Sequence, residues 1–590
     1  MHLLSHIHLT TVMSIIFAVS SYIYCHDEQN LKGPWILDDK GTVSMNPIVS
    51  GSAPFDNVWT KDFWGIHDVK DKESHKSWRP LCTISYIWNR KFFHREGVVE
   101  EDDTFWFHVV DRLLHAFVSA LVYPVTGYVF SSLWQQGACV DTGADGTKRS
   151  YKSKMLVVAL LFSVHPIHVE AVANTTGRAE VLCALFYFIA FLVFARVGVG
   201  ISLVKYLGVS LSSSHKKEQN QQEGLQMQQS SNQSTLAGSI IGVLLMLVFT
   251  LASMLCKEHG VTVPVMCVVW DAYIATNTSI PELWDLLIWR REEDVIHAGM
   301  SMSTEVEMNK GKDEKEADCK HSMTSIPDHN DIHVSWIKRR RQCILFLIRT
   351  VFCAVGCISL SMWRLSKNGD SKPDFVCEQN PAACEPSRLL RFFYYSFLWS
   401  FNFWLMLYPL WLSPDWSGGS IPLMTEFWAT DPRFGMVLLT WSVMLAVILH
   451  SICAAFTRVF SKTTSSASEI KRRTVLTSFY WMLLPFLMSS NLIVHVGFVV
   501  ADRTMYLPSF GFCLLLTEVL FYLPSFVLSS SSSSRGRASN VVTFTCSLFV
   551  LTMYTWKQQV QTKLWSDPVL IWGEAYKLNP ASILSGTGNC

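Results

Sequence analysis

Long uninterrupted apolar stretches alternate with polar ones along the whole chain. They run continuously and lack the every-second-residue alternation of a membrane barrel strand. A helix of about 20 apolar residues crosses the hydrocarbon of a bilayer and satisfies its own backbone groups there. The pattern predicts spans near 8–25, 106–128, 153–170, 179–199, 238–256, 259–277, 342–362, 434–456, 473–491, 504–526 and 539–557, with 392–413 a twelfth candidate. The fold class that follows is an all-α membrane protein of about eleven helices. The first stretch could also be a cleaved signal, but its start is weakly charged and no small-residue cleavage site stands out before Cys25, so an uncleaved anchor is favoured.

Lys and Arg set the orientation, because they accumulate on the cytosolic side. Basic clusters lie in 205–236 (Lys205, Lys216, Lys217), in 278–341 (ending at Lys338 and Arg339) and in 457–473 (Arg458, Lys462, Lys471, Arg472, Arg473). All three share one side only if 392–413 is an interfacial or re-entrant helix. That choice puts the N terminus inside and the C terminus outside. The loops 26–105, 171–178, 257–258, 363–433 and 492–503, with the tail after about 558, then share the non-cytosolic face. The segments 209–236 and 291–335 are polar or charged, cannot bury a core and read as disordered linkers.

Composition agrees with a membrane protein. Only 16% of the 590 residues are charged, against about 25% in soluble domains. A net charge of +1 gives no argument for nucleic acid. Most of the sixteen cysteines lie in apolar runs, as Cys183 and Cys267 do, where they behave as small hydrophobes. Cys377 and Cys384 flank a short polar loop instead. They are either two free thiols or a bridge that needs an oxidising compartment.

Anchoring does not require a polar loop of roughly eighty residues after the first span, so that loop is where chemistry is expected. It holds Asp38, Asp39, Asp62 and Arg79, with Trp35, Trp59, Trp64 and Trp78. Adjacent carboxylates in extended backbone point to opposite sides, so one can reach a substrate while the other orients it or takes a backbone donor. An Asp pair is also common in solvated turns. Trp beside carboxylates suits a sugar ring, apolar face on indole and hydroxyls on acid, although interfacial Trp is ordinary in membrane proteins.

Further ionisable residues collect at span ends. His165, His168 and Glu170 make only a weak metal signal, since Glu170 lies well round the helix from the two imidazoles. Ionisable residues at a span's end more often face a water-filled cavity, and Arg178 and Glu180 would edge the same one. Lys257, in a four-residue turn with Glu258 and His259, either aims at a phosphate or belongs to a solvated hairpin. Asp502 and Arg503 open a span on the non-cytosolic side, against the positive-inside bias. Arg503 therefore needs an anionic partner: Asp502, a first-loop carboxylate or a phosphate.

The segments PWILDDKGTVSMNP, KDFWG, SHKSWRPL, HPIHVEAVANTTGRAEVL, LCKEHGVTVPVMCVVWD, DWSGGSIPLM and GFVVADRTMYLPSFGF occur in this order over about 35–510. Together they resemble the membrane half of the transmembrane and tetratricopeptide-repeat-containing (TMTC) proteins. That resemblance implies a GT-C-like glycosyltransferase bundle in the endoplasmic reticulum membrane. It also implies transfer of mannose from dolichyl phosphate mannose, with inversion, to Ser or Thr of secretory-pathway proteins with cadherin-like domains. The base implied is Asp38 or Asp39. Asp62, Arg79, Arg178, Glu180, Lys257, Asp502 and Arg503 would bind substrate and lipid phosphate. No tightly bound cofactor and no metal ligand set is assigned, and metal dependence stays open. One departure is Asp502, where the family pattern usually carries Glu.

The domain reading is an anchor at 1–25, a luminal catalytic loop at 26–105, spans two to six at 106–277 and a disordered cytosolic loop at 278–341. Spans seven to eleven occupy 342–557, and 558–590 opens a tetratricopeptide region truncated at its first unit, since EAYKLNPAS resembles a repeat junction. Two other functions remain open. A non-catalytic membrane scaffold would need none of the loop acids, and a secondary transporter would show an internal duplication.

Overall fold

The computed structural model of the chain describes residues 2–93, 104–132, 144–203, 234–287, 329–369, 377, 379–424, 431–457, 466–492, 496–527 and 535–579. Most of the linkers expected at 209–236 and 291–335, and the sequence from 580 on, lie outside these residues. The apolar runs form α1 (His2–Cys25), α3 (Phe105–Val129), α4 (Ala144–Val164), α6 (Arg178–Val193), α7 (Leu236–Cys256), α9 (His329–Lys367), α11 (Arg433–Phe456) and α14 (Arg535–Leu564). The first loop adds α2 (Pro80–Phe93), and α5 (Val169–Ala173), α8 (Val263–Trp270), α10 (Arg388–Leu407), α12 (Ser466–Phe486), α13 (Pro508–Val527) and α15 (Pro568–Leu578) complete the named set.

Seven of the described helices are long and apolar enough to cross a membrane, and an eighth arises if α4 and the bent continuation through α5 are one span. The other expected spans are helical but differ in kind. The expected span 153–170 breaks at His165–Pro166. Proline has no N–H to donate and disfavours helix in the residue before it, so His165 is extended and its Nδ1 accepts from Ile167 N–H at 3.2 Å. The chain turns by 45° there. The span expected at 259–277 is a relay of a 3₁₀ turn, α8 and a wide turn at Asp271–Ala275. The one at 473–491 starts earlier, at Ser466, with Arg472 and Arg473 paired to Glu469. The one at 504–526 begins only at Pro508.

Lipid gives helices no hydrophobic reason to associate, so packing and buried polar contacts hold the bundle. In the main core Trp481 of α12 lies 5.1 Å from Phe191 and 4.9 Å from Phe510, tying α6 to α12 and α13. Gly198, just after α6, and Gly242 of α7 touch backbone to backbone: a Cβ on Gly242 would stand 2.2 Å from the Gly198 nitrogen. A second cluster, with Trp399, Phe486 and Met482, seats α10 against α12.

Polar contacts divide the molecule into two faces. On one, Arg339 bonds the Thr276 carbonyl and Glu282, and Arg473 bonds the Thr278 carbonyl. The described ends of all three basic segments meet there. The opposite face gathers the first loop, the α4–α6 turns, Lys257–Glu258, 408–416, 496–503 and 565–579. Both ends of α10 lie on this second face, because Asn380 bonds Asn491 and Val496 O while Ser413 bonds Asp502. α10 therefore enters and leaves on one side. Cys377 and Cys384, on the same face, are joined by a disulfide.

Candidate functional site

The first loop is anchored before it reaches its acids. Gly33 O accepts from Thr104 Oγ1 at 2.7 Å, and Arg112 of α3 bonds the carbonyls of Tyr24 and Asn30. Trp35 is buried edge-on to Phe107. Ile36, with Leu37 packed against it, joins Val169 and Ala173 of α5 and Trp565, Ile571, Trp572 and Ala575 in one small apolar cluster. Leu37 is held at φ 54°. A bulky side chain rarely adopts that left-handed conformation, so surrounding structure must impose it. The next residues are Asp38 and Asp39.

The two carboxylates part company. They sit at the start of a helical turn, Lys40–Ser44, so their side chains diverge round a helix rather than alternating. Asp39 is 1% exposed. Its oxygens accept from Thr175 N–H at 3.2 Å, Thr176 N–H at 2.7 Å and Thr176 Oγ1 at 2.7 Å, and Thr176 also meets Thr42 Oγ1 at 2.8 Å. Burial pushes the Asp39 carboxyl up to about 7 against the pull of the three Thr175 and Thr176 bonds. The turn it grips exists because Asn174 caps it and Gly177 fits it: a Cβ on Gly177 would lie 2.6 Å from the Ala171 backbone. Asp38, by contrast, is 43% exposed at its side chain and stands 3.5 Å from Arg503 Nη2.

Arg503 is the hub. Its backbone N–H and Nη1 each donate to Glu170 at 2.7 Å while Nη2 faces Asp38. Of the three kinds of partner its position called for, the structure supplies a first-loop carboxylate and adds Glu170. Asp502 turns away to accept from Ser413 N–H at 3.2 Å, and burial, with Glu170 adding to it, holds its carboxyl well above the ordinary range. Lys257 is buried and paired with Glu180. Arg79 and Arg503 both lie near enough to press against its charge. Arg79 stacks its guanidinium 4.8 Å over Phe63, and its Nε has no hydrogen-bond partner among the described residues.

Two residues singled out in the sequence do other work. Arg178 is fully buried and directs its donors to Asp111, Asn89 Oδ1, the Phe107 carbonyl and Ser85, over the Tyr86 ring. It is a strut between α6, α3 and α2. Asp62 closes a loop turn, with Gly65 N–H on its carbonyl and Ile66 N–H on Oδ1. The His165 and His168 rings bond Met406 O and Ser509 Oγ. No group of three metal-ligating side chains occurs among the described residues. Pairing of Glu258 with Arg364 of α9, at 3.0 Å, had no sequence signal beyond the charges themselves.

A polytopic helical bundle with a cluster of charged side chains on one face, beside the loop after its first helix, defines the class. The family model described as Protein O-mannosyl-transferase TMTC, DUF1736 matches residues 369–445. The chain is 30% identical over 488 residues to mouse (Mus musculus) Protein O-mannosyl-transferase TMTC4, covering 82% of this chain and 52% of that protein. It is 28% identical over 561 residues to mouse Protein O-mannosyl-transferase TMTC1, covering 91% and 51%. Human (Homo sapiens) TMTC2, also named a protein O-mannosyl-transferase, is 25% identical over 95% of this chain and 58% of its own length. Over most of its length the chain is thus similar to the TMTC proteins. It spans about half the length of the curated relatives it matches first. No solved structure matches it.

Proposed function

We propose that this charged cluster lines a cleft that transfers mannose from dolichyl phosphate mannose to Ser or Thr hydroxyls of secretory-pathway proteins, cadherin-like domains among them, at the luminal face of the endoplasmic reticulum membrane. The observation that carries the reading is the unequal pair: Asp39 is buried under three donors, while Asp38 stays half exposed beside Arg503. The relatives' name, protein O-mannosyl-transferase, supports the transferred group and the acceptor class. A disulfide on the cleft's face supports an oxidising compartment.

Asp38 takes the proton of the acceptor hydroxyl as its oxygen attacks the anomeric carbon of mannose. The bond from that carbon to the phosphate oxygen breaks, the configuration inverts, and dolichyl phosphate leaves with the bonding pair. Arg503, Arg79 and Lys257 face the growing phosphate charge, and cations held in place before the reaction suit that task. A GT-C-like bundle is the fold this chemistry implies. No metal enters the scheme.

The test is mannose transfer to a cadherin domain in cells lacking the endogenous enzymes, using the chain with and without a relative's repeat region. Asp38→Asn is expected to lower transfer by about 10²–10⁴-fold, the usual worth of a general base, with unfolding unchanged. Asp39→Asn is expected to lower stability and transfer together. Full activity in Asp38→Asn removes the base, and no transfer even by the wild type with repeats favours the scaffold.

A further inference from the structure

The face opposite the cleft carries a groove of about 390 Å³ between the start of α7 and the first third of α9. That volume suits a small head group. Leu236, Ile344 and Ile348 contribute apolar lining, and Trp336, Arg340 and Arg341 line it as well. Arg340 lies 5.3 Å over the Trp336 ring, and its Nε is buried with no hydrogen-bond partner among the described residues. The neighbouring Arg339 is engaged by Glu282 at 2.6 Å, so that carboxylate is already paired.

Depth decides what can occupy the groove. Residues 342–363 of α9, at about 1.5 Å each, span roughly 33 Å, close to the ~30 Å hydrocarbon core. Arg364, beyond one end, is tied to Glu258 at the cleft face. Arg340 and Arg341, beyond the other end, therefore stand at head-group level with Ile344 and Ile348 a turn or two deeper. Trp336 sits where interfacial aromatics collect. A free anion would need only the cations, and a protein partner would need far more surface than this.

We infer that the groove binds one anionic phospholipid, its phosphate on Arg340 and Arg341 and the first part of an acyl chain along Leu236, Ile344 and Ile348. Basic pockets between helices on the cytosolic side take such lipids by charge, and phosphatidylcholine, with no net charge, is discriminated against. The site is separate from the mannosyl cleft and does not rest on the reaction proposed for it.

The purified full chain in neutral detergent, titrated with phosphatidylinositol and followed by native mass spectrometry and thermal unfolding, tests this. The wild type and Lys338→Gln, a charge loss outside the groove lining, are expected to keep the lipid and gain stability. Arg340→Gln/Arg341→Gln is expected to weaken retention by about tenfold or more, given the weight of each cation near a membrane surface. If that double variant does not fold, Ile344→Gln, which keeps both cations, is expected to lose the lipid-induced shift. Equal stabilisation by phosphatidylcholine or inorganic phosphate overturns the inference, as does undiminished retention in the variants.

Discussion

Asp39 shows how a neighbouring pair of identical residues becomes two different tools. Its carboxyl is lifted by burial to about 7. A carboxyl whose folded value exceeds its unfolded value, about 3.9, binds its proton preferentially in the folded state. Its contribution to stability is therefore complete below about 4 and is lost as pH rises through about 7, at up to about 1.4 kcal/mol per pH unit. Denaturation of the wild type followed from pH 4 to 8 is expected to show that loss, and Asp39→Asn to flatten it. An unchanged slope in the variant assigns the dependence to other groups. At the hub, Arg503→Lys keeps the charge and the backbone bond to Glu170 but loses the guanidinium fork that serves Glu170 and Asp38 at once. Transfer is expected to fall by at least about tenfold with the fold intact. Glu170→Gln leaves Arg503 half-partnered in a buried setting and is expected to cost about 3–5 kcal/mol of stability, the scale for breaking such a pair.

Among the elements, the kinked α4–α5 unit matters most for the cleft, because it delivers both Glu170 and the turn that Asp39 holds. Pro166 was visible in the sequence, but an apolar run read by hydropathy passes straight through it, so a single span was expected. The Asp pair, Arg503 and Lys257 were legible from residue type and position at the ends of apolar runs. The division of labour between Asp38 and Asp39 was not. It depends on Thr175 and Thr176, which are 136 and 137 residues away from Asp39 in sequence. Nor does the sequence signal the Asp111 and Asn89 that surround Arg178, a cation at a span end. Gly177→Ala forces a Cβ into the Ala171 backbone. It is expected to displace the turn, lower the unfolding temperature and reduce transfer more than Gly573→Ala, where a Cβ meets nothing within 4 Å.

For the whole molecule, the two polar faces are the main result. The positive-inside bias expects two compartments, and the described ends of the segments contact one another within each face. A glycosylation acceptor inserted at 320 is expected to stay unmodified in cells, and one at the exposed Ser52 to be modified. Modification of the first and not the second reverses the orientation and with it the luminal assignment. The count of crossings was less legible, because hydropathy registers apolar length but not the breaks at 165–166 and 257–262.

The small apolar cluster beneath the Asp pair also carries a thermodynamic obligation. Ile36 and Leu37 share it with Ile571, Trp572 and Ala575 of α15, so the left-handed turn that leads into Asp38 packs directly on docked α15. Linkage between two such events is reciprocal. Any free energy by which α15 docking changes the affinity proposed for the cleft is returned, equal in size and sign, to the hold of the bundle on α15 when the cleft is occupied.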